Sequence, residues 1–463
     1  MSAEGELCAA AVERATVALP GADVDVSADR HRLSLTRFAN SVIHQNVAED
    51  VTWVRIQIHH AGRTASASAS VTADAALRTL VERAVAMVRV APLDPAWPGL
   101  APSAGAGTTA QIDEAFAGDT PADRAAVVRA FVDGAAGLET AGYCRTNHRT
   151  SGFANAAGQA VAGNAVECGL SGIARRDGAD GVARHAPQRL DEIDGHVLGA
   201  RAAAKALAWA DPAELPPGRY EVVLEPTAVA DIVESLAAAG FNGKAINEQR
   251  SFVRIGEAQF DPAITLVDDP LSVGIGYDAE GTPRRRLVLV EAGTSVSSTH
   301  DRRSAAEAGS GATSTGHAGP FSVSWGPFAR HLGLLPSGDG TFVAAEVDGP
   351  MADSSVAELV AGVERGVLVS DFWYTRILDP RTLAITGLTR NGVWLIENGT
   401  ITSPLRNFRF TQSYAQALMP GNVIAVGRSA TPIPGDTYTA TSPRWSCPAL
   451  HLASWNFTGG ASG

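Results

Sequence analysis

The residues with the widest chemical reach in this 463-residue chain are eleven histidines and four cysteines. His300, His317 and His331 fall in one Gly-rich region, and three imidazoles with a fourth position open can hold a catalytic zinc. Their spacing fits neither a helix face nor a hairpin, and no HExxH occurs. Histidines hydrogen-bonded in a polar cleft are therefore the plainer reading. His59 and His60 are adjacent in a strand-like segment, so their rings point to opposite faces. Cys8, Cys144, Cys168 and Cys447 lack the CxxC spacing of a zinc knuckle or redox pair. Cys144 and Cys168 have the option of meeting across neighbouring strands, but buried reduced thiols suit a cytoplasmic chain better. There is no G-x-S-x-G elbow for a serine nucleophile and no GxxxxGK[ST] loop for phosphates. Gly105 and Gly107 lack a preceding strand, and Gly274 and Gly276 lack the third small residue of a dinucleotide fingerprint; they read as turn glycines.

Residues 309–320, GSGATSTGHAGP, form the most unusual segment. It reads as too small and polar for a core. Its amides would let a bound chain approach closely, while an ordinary solvent loop is the alternative.

The elements that must position these groups follow from periodicity. Residues 23–27, 32–38 and 51–60 alternate as strands do, and 64–71 closes the meander. Residues 73–90 predict a helix through the stripe Leu77, Leu80, Val81, Ala84, Val85 and Val88. Pro92, Pro95 and Pro98 stop it, and a small-residue loop runs to about Thr109. A second cycle has a helix over 121–140 capped by Asp119 or Thr120, short strands over 143–174, and a helix over 190–210. The two cycles suggest a structural duplication without a residue-level repeat. Residues 212–218, with Pro212, Pro216 and Pro217, predict a linker between domains at 1–211 and 219–463. Beyond it lie a strand at 219–224, a helix at 226–239 and mostly strands: 286–291, 341–347, 366–374, 383–389 and 392–397. One helix at 351–364 is placed between them, and Asn398-Gly399 marks a tight hairpin. The fold class is α+β: an N-terminal domain of antiparallel strands and helices, and a C-terminal β-rich domain with few helices.

Composition bounds the function classes. Hydrophobic residues are 45% and charged residues 19%, enough for a large core. The net charge of −12 leaves no basic footprint for nucleic acid. No apolar run of about 18 residues predicts a membrane span. Residues 1–13 carry Glu4, Glu6 and Glu13 rather than a basic and then apolar leader, so no secretory signal is expected and the setting is cytoplasmic.

Several segments carry a family resemblance. RFANSVIHQN at 37–46, NGKAINEQRS at 242–251, STGHA at 314–318, IENGTITSP at 396–404 and FTGG at 457–460 resemble, in order, segments of the TldD/PmbA family of modulators of DNA gyrase and metallopeptidases. The resemblance spans about 28–460. It implies a branch point, because TldD-like members carry HExxxH on the helix opening the second domain, with a late cysteine completing a zinc site. Counted back from Gly240, the motif positions here hold Ser235, Leu236 and Ala239, and Cys447 beside Pro448 lies downstream of the family's ligand position. The chain is thus similar to the PmbA (TldE) branch.

The resemblance implies a non-catalytic, metal-free subunit of a heteromeric metallopeptidase. Zinc is expected in a TldD-like partner, and the substrates are unfolded or precursor peptides. Thr315, Gly316, His317 and Asn247 are the candidate peptide or partner contacts. No cofactor is expected in this chain and no membrane or direct nucleic-acid contact. Two alternatives stay open: an active metallohydrolase built on His300, His317 and His331, and a homo-oligomeric peptide-binding protein without protease activity.

Overall fold

The computed structural model describes residues 2–107, 119–272, 274–309, 311–338, 354–435 and 443–460. The strand expected at 341–347 lies outside them, as do residues 351–353 of the helix expected at 351–364.

The first sheet has six antiparallel strands, β1 Asp23–Ala39, β2 Val42–His60, β3 Arg63–Ser70, β4 Glu139–Asn155, β5 Ala160–Arg176 and β6 Ala179–His185, in the order β3-β2-β1-β4-β5-β6. Four helices belong to it: α1 Ala3–Ala18, α2 Asp74–Val90, α3 Pro121–Gly134 and α4 Gly195–Ala208. The chain therefore runs helix, three strands, helix twice over, with β1 and β4 paired at the centre. The duplication suggested by the sequence is visible as topology. Two cores sit under the helices: Val24, Val54 and Ile56 with Cys8, Ala11 and the α2 stripe, and Phe38, Cys144 and Leu170 with Phe131 and Leu198. All four cysteines are buried and free.

Several boundaries differ from expectation. α1 was not anticipated; Ser2 caps it by accepting from the Gly5 amide at 3.1 Å. α3 ends at Gly134, six residues early, although Thr120 caps it as expected, in a box with Asp123. The short strands expected over 143–174 are two long strands of one hairpin. Gly152 on β4 is no break: a Cβ there would stand 2.4 Å from the Gly5 nitrogen, so glycine lets α1 lie against the sheet. The helix expected over 190–210 starts at Gly195, after a single 3-10 turn at Leu190–Glu192.

The second sheet takes eleven strands: β7 Gly218–Leu224, β8 Leu266–Asp268, β9 Leu287–Glu291, β10 Thr294–Ser295, β11 Leu332–Leu334, β12 Arg365–Asp379, β13 Ala384–Glu397, β14 Thr400–Pro404, β15 Phe408–Ser413, β16 Val423–Pro434 and β17 Arg444–Gly460. The strands expected at 383–389 and 392–397 are one, β13. Asn398 and Gly399, both at positive φ (49° and 73°), make its tight turn to β14. β17, β15, β13, β12 and β7 pair in a closed circuit, since β7 bonds both β12 and β17. Its interior is aromatic, with Phe372 stacked on Trp455 at 5.0 Å and Phe410 and Tyr414 against the same indole. α5 Pro226–Ser235 follows β7 and packs across β17 and β12. α6 Gly243–Asn247, α7 Arg302–Ala308, α8 Ser322–Trp325, α9 Ser354–Ala361 and α10 Tyr414–Ala417 are short. The structure is thus α+β with a sheet-rich C-terminal region.

The Pro-rich stretch 212–218 runs from α4 to β7 and is pinned: Arg406 donates its amide to the Ala213 carbonyl at 3.0 Å. Beside it, the buried Lys205 ammonium on α4 bonds Glu225 and reaches Ser370 Oγ at 2.8 Å, tying α4 to the loop that starts α5.

Candidate functional site

α5 is built with two faces. Pro226 opens it, where the missing N–H costs nothing. Ala228, Val229, Ile232, Val233 and Leu236 enter the core of the second sheet. Thr227, Ala230, Asp231, Glu234, Ser235 and Ala238 face a cavity of about 410 Å³. After Ser235 the helix widens into a π turn, Leu236–Gly240, closed by the Phe241 amide on the Leu236 carbonyl at 2.8 Å. The helix expected to run to Ala239 therefore changes winding four residues early.

The opposite wall is β12. Its pairing with β13 slips between Val369 and Asp371 and again between Trp373 and Arg376, so Tyr374 and Thr375 oppose no β13 residue. Such bulges re-aim side chains. Tyr374, at φ 53°, is 63% exposed and carries Arg376 over its ring at 4.3 Å; Trp373 is 41% exposed beneath Arg390 at 4.5 Å. Ile433, Pro434 and Trp445 complete the cavity.

Two polar devices fix it. Arg184, on β6, grips Asp371 with both Nη atoms at 3.0 and 2.9 Å, and Asn391 donates to the same carboxylate at 2.8 Å. Asp231 accepts from Tyr414 Oη at 2.5 Å and Thr375 Oγ1 at 2.7 Å. Burial outweighs these bonds and pushes its pKa up to about 6.

The residues singled out from sequence are placed as follows. Ser235 lines the cavity, whereas Leu236 and Ala239 are core residues. Thr315, Gly316, His317 and Asn247 do not line it. Thr315 and His317 are each 5% exposed, so this part of the 309–320 segment packs inside after all. It does so because its polar atoms are paired: Thr315 Oγ1 meets His317 Nδ1 at 2.9 Å and the His300 amide at 2.7 Å, and His317 Nε2 meets Asp268 Oδ2 at 2.9 Å. Burial works against the Asp268 carboxylate, yet His317 and the His331 amide hold its pKa below the ordinary range. Gly316, at φ 78°, leaves its carbonyl to Arg284 Nε at 3.1 Å; a Cβ would stand 2.7 Å from the Pro283 oxygen. Asn247 staples α6 to α7 through the Ser304 carbonyl at 2.8 Å.

The three histidines are neighbours with separate tasks. His300 bonds Ser304 Oγ at 3.2 Å and Ser298 Oγ at 3.0 Å, His317 takes Asp268, and the buried His331 ring has its pKa driven down to about 3 by burial first. Among the described residues no group of three or more His, Cys, Asp or Glu is arranged to hold a metal ion, and no helix is long and apolar enough to cross a membrane.

Sequence reasoning missed Asp231, Arg184, Asp371, Trp373 and Tyr374. The signal for Asp231 was present: it recurs with Glu234, Ser235 and Ala238 on the helix side opposite the apolar stripe.

A two-faced helix crossing a closed strand circuit beside a bulged strand defines the cavity. Known proteins share this architecture. The PmbA/TldA metallopeptidase C-terminal domain profile matches residues 217–459, just over half the chain. The chain belongs to that family. A TldE from Thermococcus kodakarensis superposes with a TM-score of 0.82 at 16% identity, covering 97% of this chain and 99% of that one. A putative modulator of a DNA gyrase from Thermotoga maritima gives 0.78 at 16% (97% and 100%), and one from Bacteroides thetaiotaomicron 0.77 at 18% (98% of each). At such identities the likeness concerns the fold. A metalloprotease of Methanothermobacter thermautotrophicus is 29% identical over 125 residues, and the match spans 26% of this chain and 28% of that relative's length.

Proposed function

We propose that this chain is the metal-free subunit of a heteromeric TldD/TldE-type metallopeptidase, paired with a zinc-bearing TldD-like chain and holding unfolded or precursor peptides for processing. One observation carries the reading: residues 226–240, the helix and π turn on the cavity wall, contain no histidine and no cysteine. An HExxxH site needs imidazoles at positions i and i+5 with a glutamate at i+1. The cavity-facing triplet with that spacing is Ala230, Asp231 and Ser235. The positions counted back from Gly240, Ser235, Leu236 and Ala239, are spaced i, i+1 and i+4 and so fall one residue short of that motif, and two of them are core residues. Neither triplet offers two nitrogen or sulfur ligands, so these residues do not fit zinc and no hydrolytic step runs through them.

What the cavity retains suits peptide holding. The main chain at the β12 bulge, where Tyr374 and Thr375 oppose no β13 residue, supplies sequence-independent hydrogen bonds to an extended segment, and Trp373 and Tyr374 supply apolar contact at the rim. Thr315, Gly316, His317 and Asn247 serve as internal scaffold in this reading. A cytoplasmic setting agrees with four free thiols.

The test is purification of the full chain alone and from its own cells, with zinc measured by mass spectrometry and cleavage measured on an unstructured peptide. Alone it should carry no stoichiometric zinc and cleave nothing; from cells it should bring down an HExxxH-bearing chain and cleave with it. Metal-dependent cleavage by this chain by itself refutes the proposal. An assembly of this chain with itself alone favours the homo-oligomeric peptide-binding alternative.

A further inference from the structure

The solvent face of the strand circuit carries cations that no carboxylate answers. β13 turns Thr386, Leu388 and Arg390 outward between buried neighbours, and β15 turns Arg409 outward between buried Phe408 and Phe410. Register places Trp373 opposite Leu388, Leu388 opposite Arg409, and Arg376 opposite Thr386, so one indole and three guanidiniums share this face. Neither β15, β17 nor the stretch of β13 from Ala384 to Arg390 contains an Asp or Glu. The two carboxylates of β12 are spent. Asp371, opposite Arg390, is gripped by Arg184 and Asn391, and Asp379 accepts from the Arg381 amide at 3.0 Å and from Thr382 Oγ1 at 2.8 Å. Among the described residues Arg376, Arg390 and Arg409 make no ion pair. Arg376 lies over the Tyr374 ring and donates to the Thr375 carbonyl at 2.9 Å, and Arg390 lies over Trp373. Stacking already restrains these two side chains, so an incoming anion costs them little further entropy.

Trp373 and Arg376 also line the cavity of about 410 Å³, so the face and the cavity are continuous at these residues. The α5 wall of that cavity carries Asp231 and Glu234, which disfavour an acidic segment inside it. A peptide that leaves the cavity across β12 therefore passes from carboxylates to unpaired guanidiniums, whose planar forks match the carboxylates of Asp and Glu.

We propose that this face, through Arg376, Arg390 and Arg409 around Trp373, binds acidic residues that flank the stretch of peptide held in the cavity. The inference rests on the peptide-holding reading above and names the substrate class: unstructured peptides with Asp or Glu beside a stretch that lacks them.

The test is fluorescence anisotropy on the full chain at low salt. Three labelled peptides with blocked ends share one neutral, unstructured centre, flanked on both sides by Asp-Glu, by Asn-Gln or by Lys-Lys. The chain carries a net charge of −12, so long-range repulsion alone ranks the acidic flanks last. The proposal ranks them first, about tenfold tighter than the neutral flanks, with the gap closing at about 0.5 M salt. Arg390→Glu combined with Arg409→Glu should reverse the order in favour of the lysine flanks, a gain that misfolding does not produce. Acidic flanks that bind no tighter than neutral ones overturn this inference and leave peptide holding standing. An order that survives the charge reversal overturns it too. A single-stranded oligonucleotide that binds the unaltered chain more tightly than the acidic peptide assigns the face to nucleic acid instead. No binding of any peptide removes the peptide-holding reading together with this one.

Discussion

Asp231 makes the cavity's electrostatics measurable through Asp231→Asn. Burial raises its pKa from the ordinary 3.8 to about 6. A carboxyl raised on folding stays protonated while the unfolded chain has already ionised, so the native state loses stability as the pH climbs from about 4 to about 6 and keeps that deficit above. The difference corresponds to at most about 3 kcal/mol. Asp231 faces an open cavity, where solvent screening brings the figure to about 1–2 kcal/mol. The amide cannot ionise, so it escapes this loss, but it disturbs the bonds from Tyr414 and Thr375 at about 0.5–1.5 kcal/mol each. The variant should therefore unfold more readily than the parent near pH 4, and the gap should close or reverse by pH 8. Urea unfolding followed by tryptophan fluorescence reads this directly, because Trp455 packs on Tyr414 at 5.6 Å. Other titrating groups cancel in the difference between the two proteins. A gap that stays constant from pH 4 to pH 8 would refute the assignment of a buried, proton-retaining carboxyl to the cavity wall.

Two further outcomes test the surroundings. Gly316→Ala forces a Cβ into a positive-φ position 2.7 Å from the Pro283 oxygen, and thermal unfolding should register a loss of about 1–3 kcal/mol; an unchanged melting curve would mean the 315–318 segment is not packed as described. Lys205→Met strands Glu225, 7% exposed at its side chain, beside Ser370 alone, which should cost about 3–5 kcal/mol. Adding Glu225→Gln should recover most of it, since the penalty lies in the uncompensated charge; a double variant as unstable as the single one contradicts that account.

Local signals were legible in the sequence and non-local ones were not. The α2 stripe from Leu77 to Val88, the Thr120 cap and the Asn398-Gly399 turn each act through neighbours a few residues away, and each took the expected form. α1 escaped notice because its buried positions, Cys8, Ala11 and Ala15, are small and give little amphipathic contrast. Read locally, the glycines of the β4–β5 hairpin resemble turn residues and divide it into short strands; in the structure Gly152 makes room for α1 and Gly172 for the Phe131 ring. The cavity was hidden for a different reason. Its fixed points join residues far apart in the chain, such as Arg184 with Asp371 and Asp231 with Tyr414, and no spacing rule encodes such pairs. His317 illustrates the same limit: a histidine hydrogen-bonded in a polar cleft is the plainer reading of the sequence, but its partner, Asp268, lies about fifty residues away and no local spacing points to it.

The two faces of α5 explain how a chain can keep this architecture whatever chemistry its cavity performs. The core face depends on Val229, Ile232, Val233 and Leu236, which meet the strand circuit and tolerate little change in volume. The cavity face depends on Glu234, Ser235 and Ala238, which line the cavity and lie outside the core. Substitution on that face alters ligands without opening a void in the core, so a metal site there is thermodynamically separable from the fold. Asp231 is the exception, because Tyr414 and Thr375 bind it to the aromatic interior and to the β12 bulge. On this helix the cavity-facing Asp231 carboxylate therefore has a structural task, tying the helix to both elements.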